Sequence, residues 1–131
     1  MIVYKYDLFQ DIKVILHNRR QAVWLKEKNL VVFPFNIFRS LKIIFRWFLF
    51  RRPVRPVIDF HEDVFCYWVT AGTWGAYELP NKIFICPENL TPEKLEDTIK
   101  HEIIHIFSED EIRARGMSHE EKESLVNSRK L

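Results

Sequence analysis

Residues 91–107 constrain the fold of this chain more than any other stretch of similar length. Thr91-Pro92-Glu93 supplies a hydroxyl N-cap, a proline at the first helical position and an acid in the positively polarised first turn, which together predict a helix starting at Pro92. Leu95, Ile99, Ile103 and Ile106 then recur at three- to four-residue spacing, and Ile104 and Phe107 widen the apolar face. A helix with this pattern must be buried along one side. Into the same helix the chain sets His101-Glu102-Ile103-Ile104-His105. Histidines four apart stack on adjacent turns of one face, so their ring nitrogens converge, and the carboxylate of Glu102 falls beside the point of convergence.

Two convergent imidazoles are a metal-ligand arrangement. Neutral imidazole suits zinc, and a catalytic zinc keeps one coordination position for water. His101 and His105 are therefore candidate ligands of one zinc ion, and Glu102 is the candidate general base that takes the proton of that water. Two histidines hold zinc weakly, so a third protein ligand is expected downstream. The sixth position after His105 is Glu111 rather than a histidine, which moves the search beyond Gly116. There, Ser118-His119-Glu120-Glu121 forms a capping box and predicts a last helix with Leu125 and Val126 on its apolar side. His119 and Glu123 both qualify as the third ligand. We place His119 narrowly ahead of Glu123.

The chain outside this region predicts an α+β fold: a small mixed β-sheet carrying the motif helix, backed by N-terminal helices. At 131 residues, 47% apolar and with three glycines, it reads as one compact domain over 1–131. A first helix is expected over residues 6–18, where Leu8, Ile12, Ile15 and Leu16 have helical spacing. Two short apolar runs at 22–25 and 30–33, separated by Lys26-Glu27-Lys28-Asn29, read as a hairpin. A second helix is expected over 37–52, ended by Pro53, followed by strands at 57–60, 64–70 and 82–86 with turns at 72–75 and 79–81. Cys66 and Cys86 sit in apolar strand-like stretches without CxxC spacing, which reads as buried free thiols.

Charge divides the chain. Residues 1–58 hold 12 Lys and Arg against 3 acids, a net +9, whereas residues 59–131 hold 8 against 15, a net −7. Residues 28–58 contain no acid, and Arg39, Lys42, Arg46, Arg51, Arg52 and Arg55 all fall there. Such asymmetry suggests a partner with negative charge, nucleic acid or an anionic membrane. The cations at 39, 42 and 46 argue against a transmembrane span. Charges within Met1-Ile2-Val3-Tyr4-Lys5-Tyr6-Asp7 leave no uninterrupted apolar run for a secretory signal, so a cytoplasmic location is expected.

From about residue 71 to the end, the chain resembles the core of the zincin metallopeptidases. The parts follow in order: a glycine-bearing turn at Ala71-Gly72-Thr73-Trp74, an apolar strand at 82–86, the helix with His101, Glu102 and His105, and a final short helix. The resemblance implies a zinc-dependent peptidase acting on a protein or peptide. It also implies that Lys82, Ile83, Phe84, Ile85 and Cys86 form a sheet edge that binds extended substrate, which is physically sensible for an unpaired edge. Two subfamilies compete. The third histidine of SprT-like proteins is similar in place to His119, whereas minimal gluzincins take a later glutamate with an Asp or Asn four residues on, a spacing that Glu123 and Asn127 match. For the group that polarises the oxyanion, Arg113, Arg115 and Tyr77 are candidates. A contrasting reading is a non-catalytic or latent module of this fold that binds nucleic acid or membrane through its basic half.

Overall fold

The computed structural model describes residues 1–27, 37–49, 53–88 and 90–129. It is an α+β fold in the order β1 (Ile2–Tyr6), α1 (Leu8–Glu27), α2 (Ile37–Leu49), β2 (Val64–Trp68), β3 (Gly75–Glu78), β4 (Lys82–Ile85), α3 (Pro92–Arg115) and α4 (His119–Ser128). The sheet is mixed, with strand order β1-β2-β4-β3. β1, β2 and β4 run parallel, and β3 closes one side antiparallel to β4.

Helices cover both faces. On one, α3 sends in Leu95, Ile99, Ile103 and Ile106, α2 sends in Ile43 and Trp47, and the sheet replies with Val64, Cys66, Trp68, Ile83 and Ile85. On the other, Val14 of α1 packs against Val69, Phe84 and Cys86. Burial of large aliphatic side chains of this kind contributes roughly 1.5–3 kcal/mol each before chain entropy is charged against it. Both cysteines are free and buried, and burial pushes the Cys86 thiol up to about 12.

A buried carboxylate fixes α1 to the sheet. Asp11 accepts hydrogen bonds from the Thr70 N–H at 2.9 Å, the Thr70 hydroxyl at 2.9 Å and the Tyr6 hydroxyl at 3.1 Å. Burial raises its pKa, and these three donors oppose that rise. Two turns of helix further on, Asn18 Nδ2 donates to the Val14 carbonyl at 3.0 Å. Gly72, with φ of 120°, lies so close that a Cβ there would come 2.5 Å from Asn18 Nδ2. Only glycine meets both demands at that position.

Several sequence expectations are corrected here. The first helix does not stop at Asn18 but runs to Glu27, so residues 22–25 are helical and not the first strand of a hairpin. Nothing between Leu8 and Glu27 is a glycine or proline, and the Asn18 side chain bonds back within the helix instead of ending it. Residues 30–33, the other half of that hairpin, lie outside the described residues, as do Arg51 and Arg52. Residues 57–60 pair with no strand among the described residues. β1 takes the place beside β2 instead, in register from Ile2↔Val64 to Tyr6↔Trp68. The 82–86 stretch is a strand at Lys82–Ile85, but an inner one with partners on both sides. The edge is β3. Among the described residues no helix is long and apolar enough to cross a membrane.

Candidate metal centre

α3 and α4 are placed against each other by local signals. Thr91 caps α3 at its N-terminus, its hydroxyl accepting from the Lys94 N–H, and Gly116 ends it in the left-handed conformation, φ 58°. Two residues later Ser118 and Glu121 form a reciprocal capping box that starts α4. Val126 is buried against the body, and Arg129 donates to the Ser108 hydroxyl at 2.7 Å and pairs with Glu111, so α4 is fastened to α3 at its far end as well.

This return brings Glu123 over the two histidines. The His101 and His105 Nε2 atoms lie 3.0 Å apart. Glu123 presents one oxygen to each, Oε2 at 3.3 Å from His101 Nε2 and Oε1 at 3.4 Å from His105 Nε2. His101, His105 and Glu123 together could hold a metal ion, since a ligand atom from each lies within 4.8 Å of the others. His119, expected as the third ligand, is not in this group. It is the first residue of α4 and exposed, one turn before the position that faces the histidines.

The three donors differ in their surroundings. The side chain of His105 is 4% exposed, whereas those of His101 and Glu123 are 31% and 33% exposed, so the centre opens to solvent on the latter side. Burial holds the His105 pKa down at about 4, which keeps its imidazole neutral and able to donate a lone pair at neutral pH. Its Nδ1 is buried and finds no hydrogen-bond partner among the described residues. Tyr77 of β3 stacks on the His105 ring, centroids 5.1 Å apart and planes 7° from parallel. The Tyr77 hydroxyl donates to Glu109 at 2.8 Å and accepts from Lys122 at 2.6 Å.

Glu102 occupies a different niche. It is 7% exposed, and burial together with the neighbouring Glu123 charge raises its pKa to about 8. The backbone of Gly75 forms one wall of its pocket: a Cβ at Gly75 would come 2.4 Å from Glu102 Oε1 and 2.9 Å from Thr98 Cγ2. The edge strand thus passes directly over the carboxylate. Cys86 N–H donates to the Trp74 carbonyl at 3.0 Å, and antiparallel alternation from that pair turns the polar backbone groups of Gly75 and Tyr77 away from β4. The Gly75 carbonyl takes the Thr73 hydroxyl at 2.9 Å.

Of the three residues considered for the oxyanion, Tyr77 lies at the centre. Arg113 and Arg115 are at the end of α3, exposed, and paired with Glu109 and Glu111 at 2.8 Å each. Sequence reasoning did not single out Gly75, Lys122 or Arg129. A glycine opening a strand was the available signal for Gly75; Lys122 and Arg129 act through tertiary contacts that no local pattern announces. Comparison with known proteins gives no matching family, no similar curated protein and no similar solved structure.

Proposed function

We propose that the protein is a zinc-dependent peptidase, with His101, His105 and Glu123 as the ligand set and Glu102 as general base. The observation that carries this reading is the position of Glu102, a buried carboxylate with raised proton affinity beside the cluster and outside it. Two imidazoles and one carboxylate are a donor set used by catalytic zinc sites, and three protein donors leave a position open. When bound, zinc supplies Lewis acidity, lowering the pKa of a coordinated water to about 7 and polarising a carbonyl.

The chain's own residues divide the remaining tasks. Glu102 takes a proton from the attacking water and returns it to the leaving amine, a role that calls for a proton affinity near neutrality. Tyr77, stacked on His105, holds that ring in place. The outer edge of β3, unpaired with any strand among the described residues, would offer backbone donors and acceptors to an extended peptide, whose scissile bond would then pass over Glu102. Corrected to β3, the expectation of an edge strand for substrate joins the strand to the base.

Zinc-loaded protein is expected to cleave an unfolded protein substrate, to lose that activity when chelated and to regain it on addition of zinc. Cleavage that persists through chelation, or none by the zinc-loaded chain against a degenerate peptide library, would overturn the reading.

A test of the link between β3 and the base is Gly75→Ala. The added methyl would meet the carboxylate end of Glu102 and the Thr98 methyl, so both side chains must shift and Glu102, in the tighter contact, is displaced. Misplacement of a catalytic group by about 1 Å costs on the order of 10²-fold in rate. Turnover is expected to fall by about that factor, with metal content unchanged and a lower melting temperature from the Thr98 contact. Unimpaired turnover would separate the strand from the chemistry.

A further inference from the structure

The basic stripe noted in the sequence lies on α2, and the structure shows what accompanies it. α2 turns Ser40, Ile43 and Trp47 inward, at 6%, 6% and 9% exposure. Phe38, Leu41, Phe45, Phe48 and Leu49 face solvent, from 50% exposed at Leu49 to 85% at Phe48. At about 100° per residue these five occupy one continuous arc of about 100°. Lys42, Arg46 and Arg39 occupy the adjacent arc. Along the basic arc lies a groove of about 510 Å³, lined by Arg39, Lys42, Ile43, Phe45, Arg46 and Glu88. Glu88 pairs with Arg46 and is the one acid among the lining residues.

We infer that α2 docks on an anionic bilayer surface, lying in its plane with the apolar arc in the headgroup–acyl boundary and the basic groove on lipid phosphates. The pairing of one wide apolar arc with one basic arc is the pattern of an interfacial helix. At 1.5 Å per residue its 13 residues are about 20 Å long, too short to span the ~30 Å hydrocarbon core, so the helix lies flat. Charge complementarity extends beyond α2, since residues 28–58 carry no acid and Arg55 is exposed. A nucleic acid would satisfy the cations but leave Leu41, Leu49 and the apolar arc in water. A bilayer accommodates both arcs. Because Ile43 and Trp47 pack in the same core as Leu95, Ile99 and Ile103, docking through α2 would hold α3 at a fixed height above the lipid. The inference stands apart from the peptidase reading and does not depend on it.

The test is co-sedimentation of the full chain with vesicles of phosphatidylserine and phosphatidylcholine, and with phosphatidylcholine alone. Binding is expected to the anionic vesicles, falling as salt rises, with little to the zwitterionic ones. Phe48→Asp and Phe45→Asp, both at exposed positions, should each weaken binding at least tenfold without lowering the melting temperature. Lys42→Glu should weaken it fivefold or more, since each cation near such a surface is worth about a fivefold change in affinity. Equal binding to both vesicle types, or retention of binding by Phe48→Asp and Lys42→Glu, would overturn the proposal. So would binding to an oligonucleotide in place of vesicles, or a vesicle-independent dimer that Phe48→Asp dissociates.

Discussion

Glu102→Gln is expected to abolish most hydrolysis, by roughly 10²–10⁴-fold, the range a positioned acid–base group contributes, while leaving the bound metal in place. The two halves of this expectation come from separate observations. Glu102 is outside the group formed by His101, His105 and Glu123, so replacing its carboxylate by an amide of equal shape removes no ligand. The amide cannot accept a proton at neutral pH, so the water that attacks the carbonyl keeps its proton and the leaving amine receives none. Stability should move the other way. Burial and the Glu123 charge raise the Glu102 pKa to about 8, so in the metal-free chain ionising this group works against folding as pH rises from the ordinary glutamate value toward 8. Gln carries no such penalty, and the metal-free variant should melt at or above the parent temperature at pH 8. Metal analysis, turnover of an unfolded protein and thermal melting read the three consequences independently. Full turnover would remove Glu102 from the mechanism, and loss of metal would make it a ligand.

The legible parts of this fold are those specified locally. Thr91, Pro92 and Gly116 bound α3, and Ser118 with Glu121 starts α4, each through bonds to residues within four positions, so sequence alone places both helices. Strand order is different, because it depends on partners far apart. β1 pairs with β2 across some sixty residues, and its Ile2-Val3-Tyr4-Lys5-Tyr6 run is too short to dominate a window. β3 has only four residues, enclosed by turn signals on both sides. The misplaced edge had a readable sign. Ile83, Phe84 and Ile85 are a continuous apolar run, buried on both faces, which marks an inner strand; an edge strand with one wet face would alternate. At 22–25 the apolar run Ala22-Val23-Trp24-Leu25 is four residues long, too short for periodicity to separate helix from strand, and the absence of a breaker decides for helix. In the candidate metal centre, His101, Glu102 and His105 were legible because one helix carries all three. The third member of the cluster was narrowed to His119 or Glu123 and no further, because the choice depends on how α4 folds back.

Glu123→Ala is expected to strip the metal, and His119→Ala to leave it bound. The two residues are one helical turn apart on α4, which is why spacing from His105 does not separate them. The fold-back does. Gly116 turns the chain, the capping box fixes the first turn of α4 with His119 exposed at its start, and the next turn puts Glu123 with one oxygen toward each imidazole, at 3.3 Å and 3.4 Å. Arg129, bound to Ser108 and Glu111, keeps the helix from rotating His119 inward. Loss of an outer-shell partner of a metal ligand typically costs 10–100-fold in metal affinity, and loss of the ligand itself should exceed that. In Glu123→Ala, the affinity for zinc measured by competition with a chromogenic chelator should fall by more than about 100-fold, and hydrolysis should fall with it. His119→Ala should match the parent in both measurements. The ordering of effects is the decisive outcome. Zinc retained by Glu123→Ala and lost from His119→Ala would reverse the ligand assignment and require α4 to rotate on metal binding. Zinc retained undiminished by both would leave His101 and His105 to be completed from elsewhere in the chain.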